Sequence, residues 1–360
     1  MFEAYLIPIR YAILTFPIAA FVITLPFLIV QYRKYGYLHK FRAVIIYSLL
    51  LYLMTALYLV ILPLPATRNT CTAVQGAMAS FVPFRFVYDF WKETGVHFAQ
   101  PSTYVQLFKE RAFWQAAFNV LLLVPLGAYL RYYFRFRLPA AAVSAFGLSL
   151  FFEVTQVTGL YGIYDCPYRL FDVDDLLLNT SGGVIGYLAA PLLMKLLPRI
   201  EGLDENVDLK SERVGLTRRL IAVQLDAMLL FPLVVFFMKS ADLRIYFITS
   251  FLYFIALPYA TNGWTFGKYI VRIRVKGQGE RIRLKELLIR YGSLYGIVGG
   301  LNAVILSQTV QKLPPILFAL CTMIVLVVNL VFALHVGLRL FRKDKTLIYE
   351  KWSGTGHEVV

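Results

Sequence analysis

Nine stretches of mostly apolar residues alternate with short polar segments along the chain. Each stretch is about 20 residues long, the length that a helix needs to cross the hydrocarbon core of a bilayer. The predicted spans are residues 12–31, 43–62, 113–130, 139–158, 175–194, 219–238, 245–262, 290–310 and 315–338. The pattern therefore predicts an all-α, polytopic transmembrane protein with about nine spans.

The positions of the basic residues predict an orientation. Most of the 36 lysines and arginines fall in every second loop and in the C-terminal tail. Because cytoplasmic loops are rich in lysine and arginine, this pattern places the N-terminus outside and the C-terminus in the cytoplasm. The net charge of +15 is explained by these loops, so membrane lipids are the predicted partners and nucleic acid is not.

Composition supports the same class of protein. The chain is 59% hydrophobic and 16% charged, with a mean hydropathy of +0.65. Soluble domains carry about 25% charged residues. An acidic segment, residues 199–215, separates the fifth and sixth spans and predicts a cytoplasmic linker between domains 1–198 and 216–360.

Polar side chains gather near the outer ends of the third, fourth and fifth spans. They are Asn119, Glu153, Gln156, Arg169, Asp172, Asp174, Asp175 and Asn179. A carboxylate at bilayer depth costs about 2.5 kcal/mol or more, so Glu153 is expected to face a partner or a water-filled cavity. We therefore expect these groups to meet in one polar pocket on the outer side of the membrane.

Three interpretations of this cluster remain open. Asp172 or Asp174 could cap the start of the fifth helix. Arg169 could form a salt bridge with Glu153 or Asp172, or it could bind the anionic head group of a ligand. The three cysteines and four histidines have no metal-ligand spacing, so neither a metal nor another cofactor is predicted.

Three further features lie near this cluster. The aromatic segment from Ser80 to Glu93 is expected either at the outer membrane interface or as a loop packed over the helices. Gly182, Gly183 and Gly186 are expected to let another helix approach closely. Cys71 and Cys166 both fall in outer loops, where a disulfide between them is predicted and two free thiols are the alternative.

The N-terminal part resembles the VanZ-like family. The motifs are Phe81-Val-Pro-Phe84, Asn119-Val-Leu-Leu-Leu-Val-Pro-Leu-Gly127, Glu153-Val-Thr-Gln156 and Arg169…Asp172-Val-Asp-Asp175…Asn179-Thr-Ser-Gly-Gly183. The resemblance implies a bacterial membrane protein related to those that give low-level resistance to teicoplanin and similar lipid-bearing glycopeptides. A lipoglycopeptide or a lipid-linked cell-wall precursor is then an expected partner.

In the C-terminal part, Asp226 lies about two turns inside the sixth span and needs a partner. A structural ion pair with Arg219 or with a basic residue of the 264–290 loop is one interpretation, and a proton or ion relay is another. Alternating charge over residues 270–275 followed by Gly277 and Gly279 predicts a short strand or hairpin at 270–283.

This part resembles the RDD family through Arg219, Ala222, Asp226, Gly263-Trp-Thr-Phe-Gly267-Lys268 and Arg290. The resemblance implies a four-span membrane domain for which transport has been suggested. The family's tail usually has a His-Asp pair before a small Gly-Thr motif. Here Ile348-Tyr349-Glu350 stands there, before Gly354-Thr355, and this departure weakens the expectation of a strict acidic role.

The sequence favours a binding function at the outer pocket over catalysis, since no histidine lies in the cluster. Two alternatives stay open. One is an enzyme that acts on a lipid phosphate or head group, with Glu153 or an aspartate as general base. The other is a lipid or ion transporter in which Asp226 couples to protons.

Overall fold

The structure, a computed structural model, describes residues 3–71, 79–96, 100–204, 214–240, 242–342 and 346–360. Nine helices within these ranges are long and apolar enough to cross a membrane. The nine predicted spans are therefore confirmed, with ends that differ by a few residues. The chain divides into unit 1, residues 1–24 and 39–206, and unit 2, residues 25–38 and 207–360.

Unit 1 contains most of the first seven helices and two short strands. Its elements are α1 (Glu3–Tyr35), α2 (Lys40–Ile61), β1 (Ala79–Ser80), α3 (Arg85–Glu93), a 3-10 helix (Pro101–Lys109), α4 (Arg111–Tyr132), α5 (Leu138–Val157), α6 (Gly159–Gly162), β2 (Phe171–Asp172), α7 (Val173–Met194) and a 3-10 helix (Glu201–Asp204). Strand β1 pairs in parallel with β2.

Unit 2 contains the remaining helices, two of which include π-helical turns. Its elements are α8 (Leu216–Ser240), α9 (Leu243–Phe251), a π-helix (Leu252–Ala256), α10 (Leu257–Ala260), α11 (Phe266–Ile270), β3 (Ile273–Lys276), α12 (Leu284–Tyr291), a π-helix (Gly292–Gly299), α13 (Gly300–Leu306), α14 (Gln308–Gln311), α15 (Pro315–Phe341), α16 (Ile348–Ser353) and β4 (Gly356–Val359).

The last part of α1, from Leu25, belongs to unit 2, whereas the predicted domain 1–198 grouped it with the N-terminal domain. Tyr32 packs in a buried cluster with Ile221 and Val271, which explains this assignment. The boundary after residue 206 falls within the predicted linker 199–215. Residues 205–213 of that linker, with Glu205, Asp208 and Glu212, lie outside the described residues.

The strand predicted at 270–283 forms, but the predicted hairpin does not. Strand β3 pairs antiparallel with β4 at the end of the chain. After Gly277 the chain turns directly into α12, because Glu286 accepts hydrogen bonds from the backbone amides of Gln278 and Arg283. Residues 277–283 are therefore a helix-capping turn rather than a second strand.

The core of unit 1 is the contact between α4 and α7, and it depends on glycine. A Cβ added at Gly186 would lie 1.9 Å from the backbone oxygen of Val124, and one at Gly182 would lie 1.8 Å from that of Val120. The expectation that these glycines allow close helix approach is confirmed. The two backbones touch, which fixes the register of α4 on α7.

A disulfide closes the loops at one end of unit 1. Cys71 and Cys166 are bonded, with their Cα atoms 4.9 Å apart. Thr70 Oγ1 accepts a hydrogen bond from the amide of Cys166 at 3.1 Å, and Asp165 N donates to Arg68 O at 3.0 Å. We call this end, where α2 and α5 finish and α4 and α7 begin, the disulfide end.

We expect Gly186→Ala to destabilise the protein by about 1–3 kcal/mol or more, since the new methyl group must displace the α4 backbone. Gly147→Ala on α5 is the matched control, because a Cβ there meets nothing within 4 Å. Thermal unfolding in detergent should show a lower Tm for the first variant alone. Equal Tm values would contradict the tight α4–α7 contact.

Thiol labelling should test the disulfide and the predicted orientation together. Cys321 is the free cysteine of the described residues. In denaturant without reductant, one thiol should react with maleimide, and after reduction three should react. In intact cells, an impermeant reductant followed by an impermeant maleimide should label Cys71 and Cys166. Labelling that requires broken cells would reverse the orientation.

Candidate functional site

A cavity of about 800 Å³ lies between α2, α4, α5 and α7 at the disulfide end of unit 1. Its polar lining residues are Arg111, Gln115, Asn119, Glu153, Gln156, Arg169, Asp175 and Asn179. Apolar and aromatic residues continue the lining: Tyr52, Ala56, Leu59, Trp114, Phe118, Leu122, Pro125 and Phe152. This cavity, which we call the groove, contains six of the eight predicted binding residues.

One face of α4 forms the longest wall of the groove. Arg111, Gln115, Asn119 and Leu122 recur at helical spacing, so their side chains lie on one face. Pro125 continues this face and removes one intrahelical hydrogen bond. Beside it, Tyr52 donates a hydrogen bond to the backbone oxygen of Leu122 at 2.7 Å.

Glu153 is held within the groove by the backbone of the next loop. Its side chain is only 2% exposed, and Oε2 accepts a hydrogen bond from Asp172 N at 3.0 Å. Arg169 does not form the proposed salt bridge with Glu153 or Asp172. It donates instead to the backbone oxygen of Leu62 at 3.2 Å, because the 169–172 turn presents its backbone rather than its guanidinium to Glu153.

Two amides hold the start of α7 against its neighbours. Asn119 Nδ2 donates to Asp175 Oδ1, which joins α4 to α7. Asn179 is 3% exposed, and its Nδ2 donates to Ser149 Oγ at 3.0 Å. Asn179 Oδ1 has no hydrogen-bond partner within the described part of the chain. The groove therefore contains buried acceptor oxygens from several helices.

Asp172 and Asp174 lie outside the groove. Asp172 caps α7 by accepting from Asp174 N at 3.0 Å, whereas Asp174 accepts from the amides of Phe84 and Phe86 at 2.6 and 2.8 Å. Both line a smaller cavity of about 220 Å³ that also touches Asn119 and Asp175. Burial raises the pKa of the Asp172 carboxyl.

The carboxylate of Asp174 thus attaches α3 to the disulfide end. On α3, Val87, Tyr88 and Trp91 are exposed, as is Phe84 before it. These residues recur at helical spacing and form an apolar stripe of the kind that suits the membrane interface. The structure does not place this stripe relative to a membrane, so its interfacial position stays a prediction.

Sequence reasoning missed Arg111, Trp114 and Gln115. Arg111 and Gln115 are eight and four residues before Asn119, so the three share one helix face, and that spacing was the available signal. Among the residues that the structure describes, no group of three or more histidine, cysteine or acidic residues is arranged to hold a metal ion.

In unit 2, Asp226 is 1% exposed and accepts several hydrogen bonds. Its donors are Tyr253 Oη at 2.6 Å, Thr265 Oγ1 at 2.7 Å and Gly267 N at 2.6 Å. Lys268 Nζ, a basic residue of the predicted loop, lies 3.9 Å from its Oδ2. The other suggested partner, Arg219, pairs with Glu350 instead.

Glu350 lies at the centre of a buried charge cluster. Its carboxylate is 2.8 Å from Arg219 and 3.0 Å from Arg290, while His357 Nδ1 lies 3.1 Å away. An acidic side chain with basic partners therefore occupies this position, although the departure from the family pattern weakened that expectation. Burial opposes its ionisation, but His357 and the two arginines lower the pKa of the Glu350 carboxyl to about 2.

A second arginine fastens the start of α8. Arg218 is 3% exposed and donates to three backbone oxygens, those of Gly36, Val271 and Arg272. These hydrogen bonds tie the end of α1 to the α11–β3 segment within unit 2. Arg219, next to it, points to Glu350. The two neighbours therefore have different structural partners.

The stability of unit 2 should depend on His357 between pH 6.5 and 5. Burial and the charge of Arg290 lower the pKa of His357 to about 3, so the folded chain keeps it neutral while the unfolded chain binds a proton below about 6.5. We therefore expect the free energy of unfolding to decrease as the pH is lowered, by up to about 1.4 kcal/mol per pH unit.

His357→Gln should flatten this dependence, as measured by Tm in detergent at pH 6.5 and 5. The control is His39→Gln, in unit 1, which should keep the slope. An unchanged slope in the His357 variant would show that other groups cause the loss of stability.

Two family models match the chain. One described as VanZ/LLP1 matches residues 49–194, which include all eight predicted binding residues. One described as RDD family matches residues 213–348, which include Arg219, Asp226, Lys268 and Arg290. No curated protein and no solved structure matches the chain. The chain is therefore a multi-pass membrane protein whose N-terminal part belongs to the VanZ/LLP1 family and whose C-terminal part belongs to the RDD family.

Proposed function

We propose that this protein lowers susceptibility to teicoplanin or related lipoglycopeptides by binding a lipid-bearing molecule or a lipid head group in the groove of its VanZ-like domain. VanZ membership links the chain to glycopeptide resistance, and the geometry suggests how the domain acts. The supporting observation is the groove itself, where charged residues and an apolar wall share one cavity at the disulfide end.

The chemistry of the lining supports an amphiphilic ligand. Arg111 and Arg169 can receive an anionic group, while Leu122 and Phe152 contact a hydrocarbon chain. A volume of about 800 Å³ lies within the range of small-molecule sites, roughly 300–1,000 Å³. The apolar stripe of α3 would keep this end of the domain at the membrane interface, where such a ligand is found.

The two alternative functions have less support. The described lining of the groove contains no histidine, serine or cysteine. Its hydroxyl groups on Tyr52 and Thr55 donate to the backbone oxygens of Leu122 and Leu51, so neither is paired with Glu153 as an activated nucleophile would be. Asp226 accepts three hydrogen bonds and lies near Lys268, so its contacts indicate a structural role in unit 2. A binding function therefore fits the observed contacts better than catalysis or proton coupling.

The intact chain, expressed in a susceptible Gram-positive strain, should raise the minimal inhibitory concentration of teicoplanin several-fold and that of vancomycin less. Glu153→Gln and Asp175→Asn should remove most of the effect at equal membrane levels, because they change the groove without adding bulk. Glu201→Gln is the control, since Glu201 is 63% exposed and pairs with Arg135.

Two results would contradict the proposal. One is an intact chain that changes neither inhibitory concentration although it is present in the membrane. The other is protection that both groove variants retain in full.

A further inference from the structure

The groove is as long as one leaflet of a bilayer is deep. Its lining on α4 extends from Arg111 to Pro125, about 21 Å at the ~1.5 Å rise per residue of an α-helix. Half of a bilayer with its head groups is about 20–22 Å thick. A lipid with its head group beside Arg111 would therefore reach the inner end of the groove with the end of its chain.

The outer end of the groove presents hydrogen-bond donors with positive charge. Arg111 and Arg169 are both exposed there. Neither guanidinium is ion-paired with a carboxylate of the described residues, and Arg169 has a backbone oxygen as its partner. Arginine is well suited to a phosphate, which it binds through two parallel N–H groups. This end therefore fits a phosphate group.

The next layer of the groove presents acceptors. Glu153 and Asp175 lie there with Asn179, whose buried Oδ1 lacks a partner among the residues described. The Nδ2 group of Asn179 is occupied, since it donates to Ser149 Oγ. A buried acceptor without a partner costs about 1–3 kcal/mol. A ligand that donates a hydrogen bond at this depth would remove that cost.

The inner end is apolar and has room for one chain. Ala56, Leu122 and Phe152 line it, and the hydroxyl of Tyr52 is already bonded to a backbone oxygen. If a methylene group takes about 30 Å³, the share of a water molecule, a 16-carbon chain needs about 480 Å³ and two chains need about 960 Å³. The groove, at about 800 Å³, holds one chain and a head group.

We infer that the groove binds a single-chain lipid phosphate with a hydroxyl group between its phosphate and its chain, which is the chemistry of a lysophospholipid. This inference rests on the proposed function only in taking the groove as the binding site. It differs in naming a membrane lipid as the ligand. Binding of the antibiotic through its acyl chain is then one of the possible results of the test.

The test uses the purified full chain in detergent and 16-carbon lysophosphatidylglycerol, with binding followed by native mass spectrometry. We expect one bound lysolipid per chain and weaker binding of diacyl phosphatidylglycerol. Arg169→Gln and Glu153→Gln should each raise Kd about 10-fold or more, since each removes a charged hydrogen bond. Arg199→Gln, an exposed arginine outside the groove lining, should leave Kd unchanged.

A chain-length series separates a local effect from misfolding. Leu122→Trp fills the inner end of the groove, so it should weaken the binding of the 16-carbon lysolipid and leave that of the 8-carbon analogue intact. Equal loss for both chain lengths would overturn the placement of the chain. So would two bound lysolipids, or a preference for the diacyl lipid.

Binding and resistance can fail independently. Teicoplanin that binds in the groove while the lysolipid does not would overturn this inference and leave the proposed function standing. Lysolipid binding that responds to Arg169→Gln, in a chain without effect on susceptibility, would support the inference and remove the proposed function.

Discussion

The backbone contact between α4 and α7 is the constraint on which unit 1 depends. Lipid offers no hydrophobic force between helices, so close packing has to hold them together, and small residues allow it. Gly182 and Gly186 let α7 touch the carbonyl oxygens of α4 directly. With that register fixed, Asn119 meets Asp175, and the polar ends of the two helices line one cavity. The groove is thus a consequence of helix packing.

The surroundings of the buried charged and polar groups differ between the two units. In unit 2, Glu350 is enclosed by Arg219 and Arg290, and Asp226 receives three hydrogen bonds. These paired groups stabilise unit 2, although the buried Nε of Arg290 has no hydrogen-bond partner among the described residues. In unit 1, Asp175 and Asn179 line a cavity, and the buried Oδ1 of Asn179 has no donor among the described residues.

Much of the fold could be predicted from sequence because the bilayer imposes a single length and polarity on every span. The convergence of Asn119, Glu153 and Asp175 also followed, since alternating spans bring their polar ends to the same side. The partners of these groups did not follow. Asp174 binds backbone amides about 90 residues away at Phe84 and Phe86, and an amide donor leaves no mark in a sequence.

Local spacing was misleading where tertiary contacts compete with it. Arg219 and Asp226 lie seven residues apart on nearly one helix face, which made Arg219 one of two expected partners of Asp226, beside a basic residue of the 264–290 loop. In the structure, Arg219 pairs with Glu350, 131 residues away, because Asp226 already accepts hydrogen bonds from donors of the α11 turn. Strand β3 likewise finds its partner in β4 at the end of the chain.

The same comparison shows which residue types carry information about a site in a membrane protein. A carboxylate or an amide inside an apolar span signals a polar environment, because its burial is otherwise too costly. Arg111 gave no such signal, since an arginine at the end of a span is also what topology requires. Its position is explained by topology alone until the structure shows that Arg111 also lines the groove. Arg111 could therefore be recognised as a lining residue of the groove only after the helices had been packed.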